Sequence, residues 1–154
     1  MKKKPKVSVI INCLNGEKFV TKCISSVLNQ NYKNLEIIFW DNKSNDQTAY
    51  IIKKIPSKKI KYFQSKKTLP LYKAKNLAIK KAKGKYLAFL DIDDYWEKEK
   101  IKYQIDTIIR ENTKLVYTNH WIKKGKKRFV FSESNLPSGF IIKDVLKNYP
   151  ISLS

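Results

Sequence analysis

Glycine is scarce in this 154-residue chain, at four residues. None of them builds a G-x-G-x-x-G or G-x-x-x-x-G-K-[ST] pattern. That excludes the usual dinucleotide and P-loop sites, which need glycine to bring backbone N–H groups against phosphate. Cysteine occurs only as Cys13 and Cys23, with no C-x-x-C spacing, and both read as reduced thiols rather than a disulfide or zinc site. His120 is the only histidine; a histidine-containing triad has no support, and the residue reads as one near a strand end. No apolar run approaches the roughly 18 residues of a membrane span. The start, Met1-Lys2-Lys3-Lys4-Pro5, is basic but leads into a short strand-like run instead of a signal-peptide core, so export is not expected and a cytoplasmic location is.

Arginine is nearly missing as well. Of 33 basic residues only Arg110 and Arg128 are arginines, against 13 acidic residues and a net charge of +20. Readers of nucleic acid usually combine arginine with exposed aromatics in a recognisable module, and none is present, so no specific nucleic-acid partner is expected. Lysines spread along the chain among many Asn and Ile also fit AT-rich coding sequence. They suffice for peripheral attraction to anionic lipid headgroups, for example at an inner membrane face.

What is present describes a globular α/β chain, 42% hydrophobic and 12% aromatic. Val7-Ser8-Val9-Ile10-Ile11 is a β-branched run followed by the turn Asn12-Cys13-Leu14-Asn15-Gly16. Phe19, Val20, Cys23, Ile24, Val27 and Leu28 then recur at helical spacing, predicting a helix from about Glu17 to Asn29. A second strand, Leu35 to Trp40, ends at Asp41-Asn42-Lys43-Ser44-Asn45-Asp46. Asn45 or Asp46 is expected to cap the next helix, which carries Ile51, Ile52 and Ile55 and stops before Pro56. Ile60 to Phe63 is a third strand. Leu71, Ala74, Leu77, Ala78 and Ala82 mark a third helix, closed by Gly84 in the position glycine favours after a helix. A strand from Lys85 to Leu90 follows, then a helix with Ile101, Ile105, Ile108 and Ile109. Leu115 to Tyr117 and Arg128 to Phe131 read as strands flanking a turn at Lys123 to Lys127. The alternation predicts an open, mainly parallel sheet with helices on both faces. The chain stops at Pro150-Ile151-Ser152-Leu153-Ser154 as an apolar segment begins, which suggests a fragment.

Chemistry concentrates where strands end. Tyr86 to Leu90 reads as a buried strand that delivers Asp91, Asp93 and Asp94 at its C-terminal end. Unpaired buried carboxylates are costly, so an open strand end beside a cation is one reading; hard divalent ions take such ligands, often with a substrate's phosphates. A solvated acidic loop, or capping aspartates ahead of Glu97, is the other. Asn12 follows the first strand and Asp41 and Asn42 the second, and open α/β sheets bind ligands beyond these carboxyl ends. Asp and Asn suit the edges of a base and the hydroxyls of a ribose. Lys73 and Lys75 are available to neutralise phosphate. Without a glycine loop, phosphate binding must rely on metal and side chains, which points to a nucleotide-diphosphate ligand with a divalent cation.

These segments resemble family 2 glycosyltransferases of GT-A fold. Val7 to Ile11 with Asn15-Gly16-Glu17, then Ser26-Val27-Leu28-Asn29-Gln30-Asn31-Tyr32, is similar to that family's opening. Asp41 to Thr48 resembles its Asp-Asp-Gly-Ser-x-Asp-x-Thr segment. Asn76 to Ile79, Gly84 to Tyr86 and Leu90-Asp91-Ile92-Asp93-Asp94-Tyr95-Trp96 resemble the approach to its metal motif and the motif itself. The likeness runs from about residue 6 to residue 110.

The resemblance implies a GT-A, Rossmann-like sheet and a donor-binding domain over 1–154, incomplete because the acceptor-side part is missing. It implies that Asn12 lines the nucleotide pocket, that Asp41 and Asn42 address uracil or another base, and that Asp93 meets ribose or metal. Asp94 would ligate Mn²⁺ or Mg²⁺ on the diphosphate, with Asp91 in support. Lys75 stands where the family often has arginine and would meet the diphosphate as a point charge. The implied partners are a nucleotide-sugar donor and a glycan or lipid-linked acceptor, and the implied reaction is inverting transfer in polysaccharide synthesis.

Two features depart from the pattern. Asn42 replaces a frequent aspartate, and no catalytic base is identifiable: Glu133 and Asp144 match no motif and read as surface acids. A noncatalytic fragment that binds a nucleotide sugar is the alternative, and a basic module for nucleic acid or membrane a third reading. A sugar nucleotidyltransferase lacks its expected N-terminal glycine signature here.

Overall fold

The computed structural model describes residues 4–139. The elements run β1 (Val7–Cys13), α1 (Val20–Leu28), β2 (Leu35–Asp41), α2 (Thr48–Lys54), β3 (Ile60–Gln64), α3 (Leu71–Ile79), β4 (Tyr86–Phe89), α4 (Lys100–Arg110), β5 (Trp121–Lys124) and β6 (Lys127–Val130). The chain divides into two compact units, one reaching Tyr103 and one beginning at Gln104.

The first unit is a four-stranded sheet in the order β3-β2-β1-β4. Every pairing in it is parallel, as the strand–helix alternation predicts. β1 and β2 are apolar apart from Ser8, Asn12, Glu36 and Asp41, as fits strands covered on both faces, and all seven residues of β2 are buried. Each such Ile or Phe contributes about 1.5–3 kcal/mol of burial free energy. On one face Ile10, Ile38 and Trp40 pack with Ala74 and Ala78 of α3, whose small side chains let the helix approach the sheet. α1 and α2 pack against each other, and α1 buries Val20, Cys23, Ile24 and Val27, the apolar stripe visible in the sequence.

Several expectations need correction. β1 runs on through Cys13, so Asn12 is a strand residue, not a turn residue. α1 begins only at Val20, because residues 17–19 form a tighter turn in which the N–H groups of Phe19 and Val20 both reach the Gly16 carbonyl (2.9 Å each). α3 ends at Ile79, short of Ala82. Gly84 does not cap it. Its backbone lies against β1, where a Cβ would meet Ser8 N at 2.5 Å and Lys6 O at 2.9 Å, and its N–H donates to Ser8 Oγ (2.8 Å). β4 is an edge strand instead of a buried one, and Leu87 is 41% exposed.

A buried acid ties the N-terminal ends of the strands together. Glu36, 2% exposed, accepts hydrogen bonds from Lys6 Nζ (2.8 Å), Lys61 Nζ (2.5 Å), Ser8 Oγ (2.7 Å) and the Lys83 N–H (2.7 Å). Burial alone would raise its pKa; these four donors outweigh it and hold the carboxyl down at about 2.

The second unit contains the hairpin β5–β6, antiparallel with Trp121 opposite Val130. Its turn is Gly125-Lys126, with Gly125 at φ +58°, the left-handed conformation such two-residue hairpins need. The expected strand at Leu115 to Tyr117 is irregular backbone, and the first arm of the hairpin is Trp121–Lys124 instead. His120 stacks on Phe131, with ring centroids 4.5 Å apart. Asp144 lies outside the described residues. Among the described residues, no helix is long and apolar enough to cross a membrane.

Candidate functional site

The strand order reverses beside β1: β2 and β3 extend to one side and β4 lies on the other. That switch point is where an open parallel sheet leaves a crevice at its carboxyl edge. The register shows what lines it. Cys13 pairs with Asp41 across β1 and β2, and Ile10 pairs with Phe89 across β1 and β4. β4 ends at Phe89 and the Leu90 N–H still reaches the Ile10 carbonyl (3.1 Å), so Asp41, Asn12 and Asp91 all fall at or just beyond the carboxyl ends of β2, β1 and β4, the rim of the sheet.

Asn12 carries the most telling feature of the rim. Its Oδ1 and Nδ2 are both buried and neither has a hydrogen-bond partner. Leaving a buried polar group unpaired costs about 1–3 kcal/mol, so an amide with both ends unpaired at this edge of the sheet is a candidate contact for a ligand.

Asp41 is fully buried and already well supplied. Oδ1 accepts the Ser44 N–H (2.7 Å), while Oδ2 accepts the Tyr62 hydroxyl (2.6 Å) and Gln64 Nε2 (3.1 Å). A carboxylate has about four lone-pair positions, so one remains. Burial, and donation to Asp41, push the Tyr62 phenol above its ordinary pKa. Tyr62 and Gln64 were not singled out from sequence; the β2–β3 register that brings them to Asp41 is the only signal for them.

Asn42, expected at a base, turns to the backbone. Its Nδ2 donates to the Leu69 carbonyl (2.8 Å) and its Oδ1 accepts the Leu69 N–H (3.0 Å). The donor-and-acceptor amide that replaces aspartate therefore pins the loop leading into α3. Lys75, expected at a diphosphate, faces Asp91 Oδ1 at 3.8 Å and lies over the Phe89 ring. Asp91 is half exposed on its side chain, and its carbonyl accepts the Asp94 N–H (3.1 Å) to close the acidic turn. Asp93 and Asp94 are both exposed at that turn. Glu133 is exposed in the second unit.

Two interlocked loops hold the rim in place. The N–H groups of Asn15, Gly16 and Glu17 donate to Ser44 Oγ, Thr48 Oγ1 and Asp46 Oδ2 (2.9, 2.9 and 3.0 Å). In return, the Asn45 and Gln47 N–H groups donate to Asn15 Oδ1 and Glu17 Oε2 (2.9 Å each). The spacing Ser44-x-Asp46-x-Thr48 is thus a clasp between the β1–α1 and β2–α2 loops. Asp46, not Asn45, also accepts the Thr48 N–H at the start of α2 (2.9 Å). Burial raises the Asp46 pKa, but the Thr48 hydroxyl and these N–H donors bring it below the usual carboxylate value.

The acidic turn is held from beneath. A Cβ on Gly16 would lie 2.4 Å from Cys13 Sγ and 2.8 Å from Ile92 Cγ1, so only glycine lets the first loop seat Ile92. The Cys23 thiol approaches the Asp91 carbonyl (3.7 Å). Burial pushes Cys13 up to about 11 and Cys23 up to about 12, so both stay protonated thiols at neutral pH. Gln30, fully buried, donates to the Ser26 and Glu97 carbonyls (3.1 and 2.8 Å) and accepts the Ile101 N–H (3.1 Å), fastening the segment after the turn to α1.

Among the described residues, no cluster of three His, Cys, Asp or Glu side chains is poised to hold a metal. The carboxylates of Asp93 and Asp94 are nevertheless hard oxygen donors and accessible. Oxygen donors of this kind suit a hard divalent cation, and two carboxylates alone would leave most of its coordination positions for other ligands.

With this geometry, residues 8–152 match the Glycosyl transferase family 2 profile. The chain belongs to that family. It is 41% identical over 118 residues to an Escherichia coli protein named UDP-Glc:alpha-D-GlcNAc-diphosphoundecaprenol beta-1,3-glucosyltransferase WfaP, covering 77% of this chain and 47% of that one. A second E. coli glucosyltransferase of the same description, WfgD, is 34% identical over 116 residues, covering 75% and 46%. Among solved structures, S. aureus TarS 1-349 in complex with UDP-GlcNAc superposes with a TM-score of 0.66 and 33% identity, over 70% of this chain and 32% of that one. The family 2 chain therefore has the GT-A α/β fold, and it spans no more than about half the length of these relatives.

Proposed function

We propose that this family 2 chain carries the donor half of a glycosyltransferase that uses a nucleotide-diphosphate sugar, with UDP-sugar the favoured donor. The observation that carries this reading is the Asn12 amide, buried and unpaired beside the point where the strand order reverses. A nucleoside supplies the donors and acceptors that such an amide lacks. Asp41 offers its remaining acceptor position to a base or ribose. Tyr62 and Gln64 orient it, and Asn42 shapes the neighbouring loop.

Asp94 and Asp93 would hold Mn²⁺ or Mg²⁺ at the exposed turn. When bound, the cation neutralises charge that develops on the departing nucleoside diphosphate. Asp91 and Lys75 keep the turn and α3 together, and Lys75 adds positive charge near the diphosphate. Attack by an acceptor hydroxyl, with inversion at the anomeric carbon, is the reaction that the family resemblance implies. The names of the E. coli relatives, which specify a diphosphoundecaprenol-linked acceptor, favour a lipid-linked glycan acceptor here.

Calorimetric titration with UDP tests this. Binding is expected to require Mn²⁺ or Mg²⁺ and to weaken at least about tenfold in Asp94→Ala. Metal-independent affinity that the substitution leaves unchanged would overturn the proposed role.

A further inference from the structure

We infer that the loop between β3 and α3, with the first turn of α3, docks on an anionic lipid surface beside the candidate site. The inference extends the proposed lipid-linked acceptor, but it rests on its own observations. The 44 residues from Gln47 to Leu90 contain thirteen lysines and no Asp or Glu. They build α2, β3, α3 and β4 and carry thirteen of the chain's twenty net positive charges. Lys61 is engaged by Glu36 and Lys75 faces Asp91; the other acids of the chain lie outside this stretch.

Within that region the β3–α3 connection is amphipathic in an unusual way. Leu71 and Tyr72 are each 62% exposed at the start of α3. Lys66, Lys67 and Lys73 are exposed in the same connection, and Lys73 lies over the Tyr72 ring (6.0 Å). An exposed apolar pair that can insert among headgroups, with lysines near it in sequence to meet lipid phosphate, is the composition of an interfacial contact. Pro70 starts the helix, and the Asn42 amide anchors Leu69, so the two apolar side chains are presented from a fastened loop.

The location has a functional sense. This loop leaves the carboxyl end of β3, the same edge of the sheet at which Asp41 ends β2 and Asn12 lies near the end of β1. A membrane held there brings a lipid-carried hydroxyl to the rim where the donor is proposed to bind. Charge complementarity favours a bilayer over nucleic acid: no arginine occurs before Arg110, and the exposed aliphatic Leu71 suits acyl chains better than stacked bases.

Sedimentation of the full chain with phosphatidylcholine vesicles, with and without about one-third phosphatidylglycerol, tests the inference. Binding is expected only to the anionic vesicles and to fall as salt rises. K66E/K67E and, separately, L71S/Y72S should each weaken it at least about tenfold. K124E/K126E in the β5–β6 turn should leave it within about twofold. UDP titration of the same variants should match the parent, which separates a failure here from a failure of the donor site. Equal loss in the hairpin variant, or no loss in the loop variants, would overturn the assignment, as would single-stranded RNA displacing the protein from vesicles.

Discussion

At the scale of single residues, cost and use separate cleanly at Asn12. Its amide contributes nothing to the free fold, since both polar atoms are buried without partners. Replacing such a group by an apolar one of similar shape is neutral or stabilising. Asn12→Leu is therefore expected to keep or raise the melting temperature while weakening UDP binding at least about tenfold; a destabilised variant with normal UDP affinity would show a structural role instead. Lys43 presents the opposite case. It occupies φ +68°, at the position where the family segment it resembles has glycine. A side chain in that conformation costs about 1–2 kcal/mol, partly offset by the extra freedom glycine has when unfolded. Lys43→Gly should thus stabilise the chain by roughly 0.5–1 kcal/mol in urea unfolding. The residue types at the rim were legible from sequence because strand ends declare themselves through the change from apolar to polar. Their individual partners were not. Asn42 and Lys75 are polar residues at the right edge, yet one is consumed by the Leu69 backbone and the other faces Asp91, and only the three-dimensional path of the α3 loop brings those partners near.

At the scale of elements, side chains that fasten one segment to another decide where the rim residues sit. Gln30→Leu removes three hydrogen bonds, leaving the buried Ile101 N–H and the partly buried Ser26 and Glu97 carbonyls without them. A loss of about 2–4 kcal/mol in stability is expected, with weaker metal-dependent UDP binding because the segment following Asp94 loosens. The Glu36 cluster makes a pH prediction at the other end of the sheet. Its folded pKa of about 2 lies below the ordinary value of 4.5, so its contribution is complete above about 4.5 and lost as pH falls toward 2. Glu36→Gln should flatten the acid limb of the stability–pH curve over that window, measured by denaturant unfolding; an unchanged limb would show that other carboxylates govern it. Strands β1 to β3 and all four helices were legible because their apolar spacing is regular. Gly84 was misread because a glycine after a helix usually caps it, whereas here it admits β1 at contact distance. The Leu115 to Tyr117 run has strand-like composition without a paired neighbour among the described residues, and composition alone does not make a ladder.

At the scale of the whole molecule, the parallel order β3-β2-β1-β4 makes the rim a consequence of topology. The reversal beside β1 is the place where open parallel sheets leave a crevice, and the clasp between the first two loops and the acidic turn after β4 both follow strand ends at that edge. The same edge carries the exposed Leu71 and Tyr72 among lysines, so donor chemistry and lipid contact are proposed for one side of the sheet.

The proposed donor site requires that Asp93 and Asp94 take up a divalent cation together with a nucleoside diphosphate and not without it. Paramagnetic broadening by Mn²⁺ in amide NMR spectra tests it most directly. With UDP present, substoichiometric Mn²⁺ should broaden the amides of residues 91–95 and of Asn12 first, and without UDP it should spare them. Broadening that is the same with and without UDP, or that centres on residues away from this rim, would contradict the account.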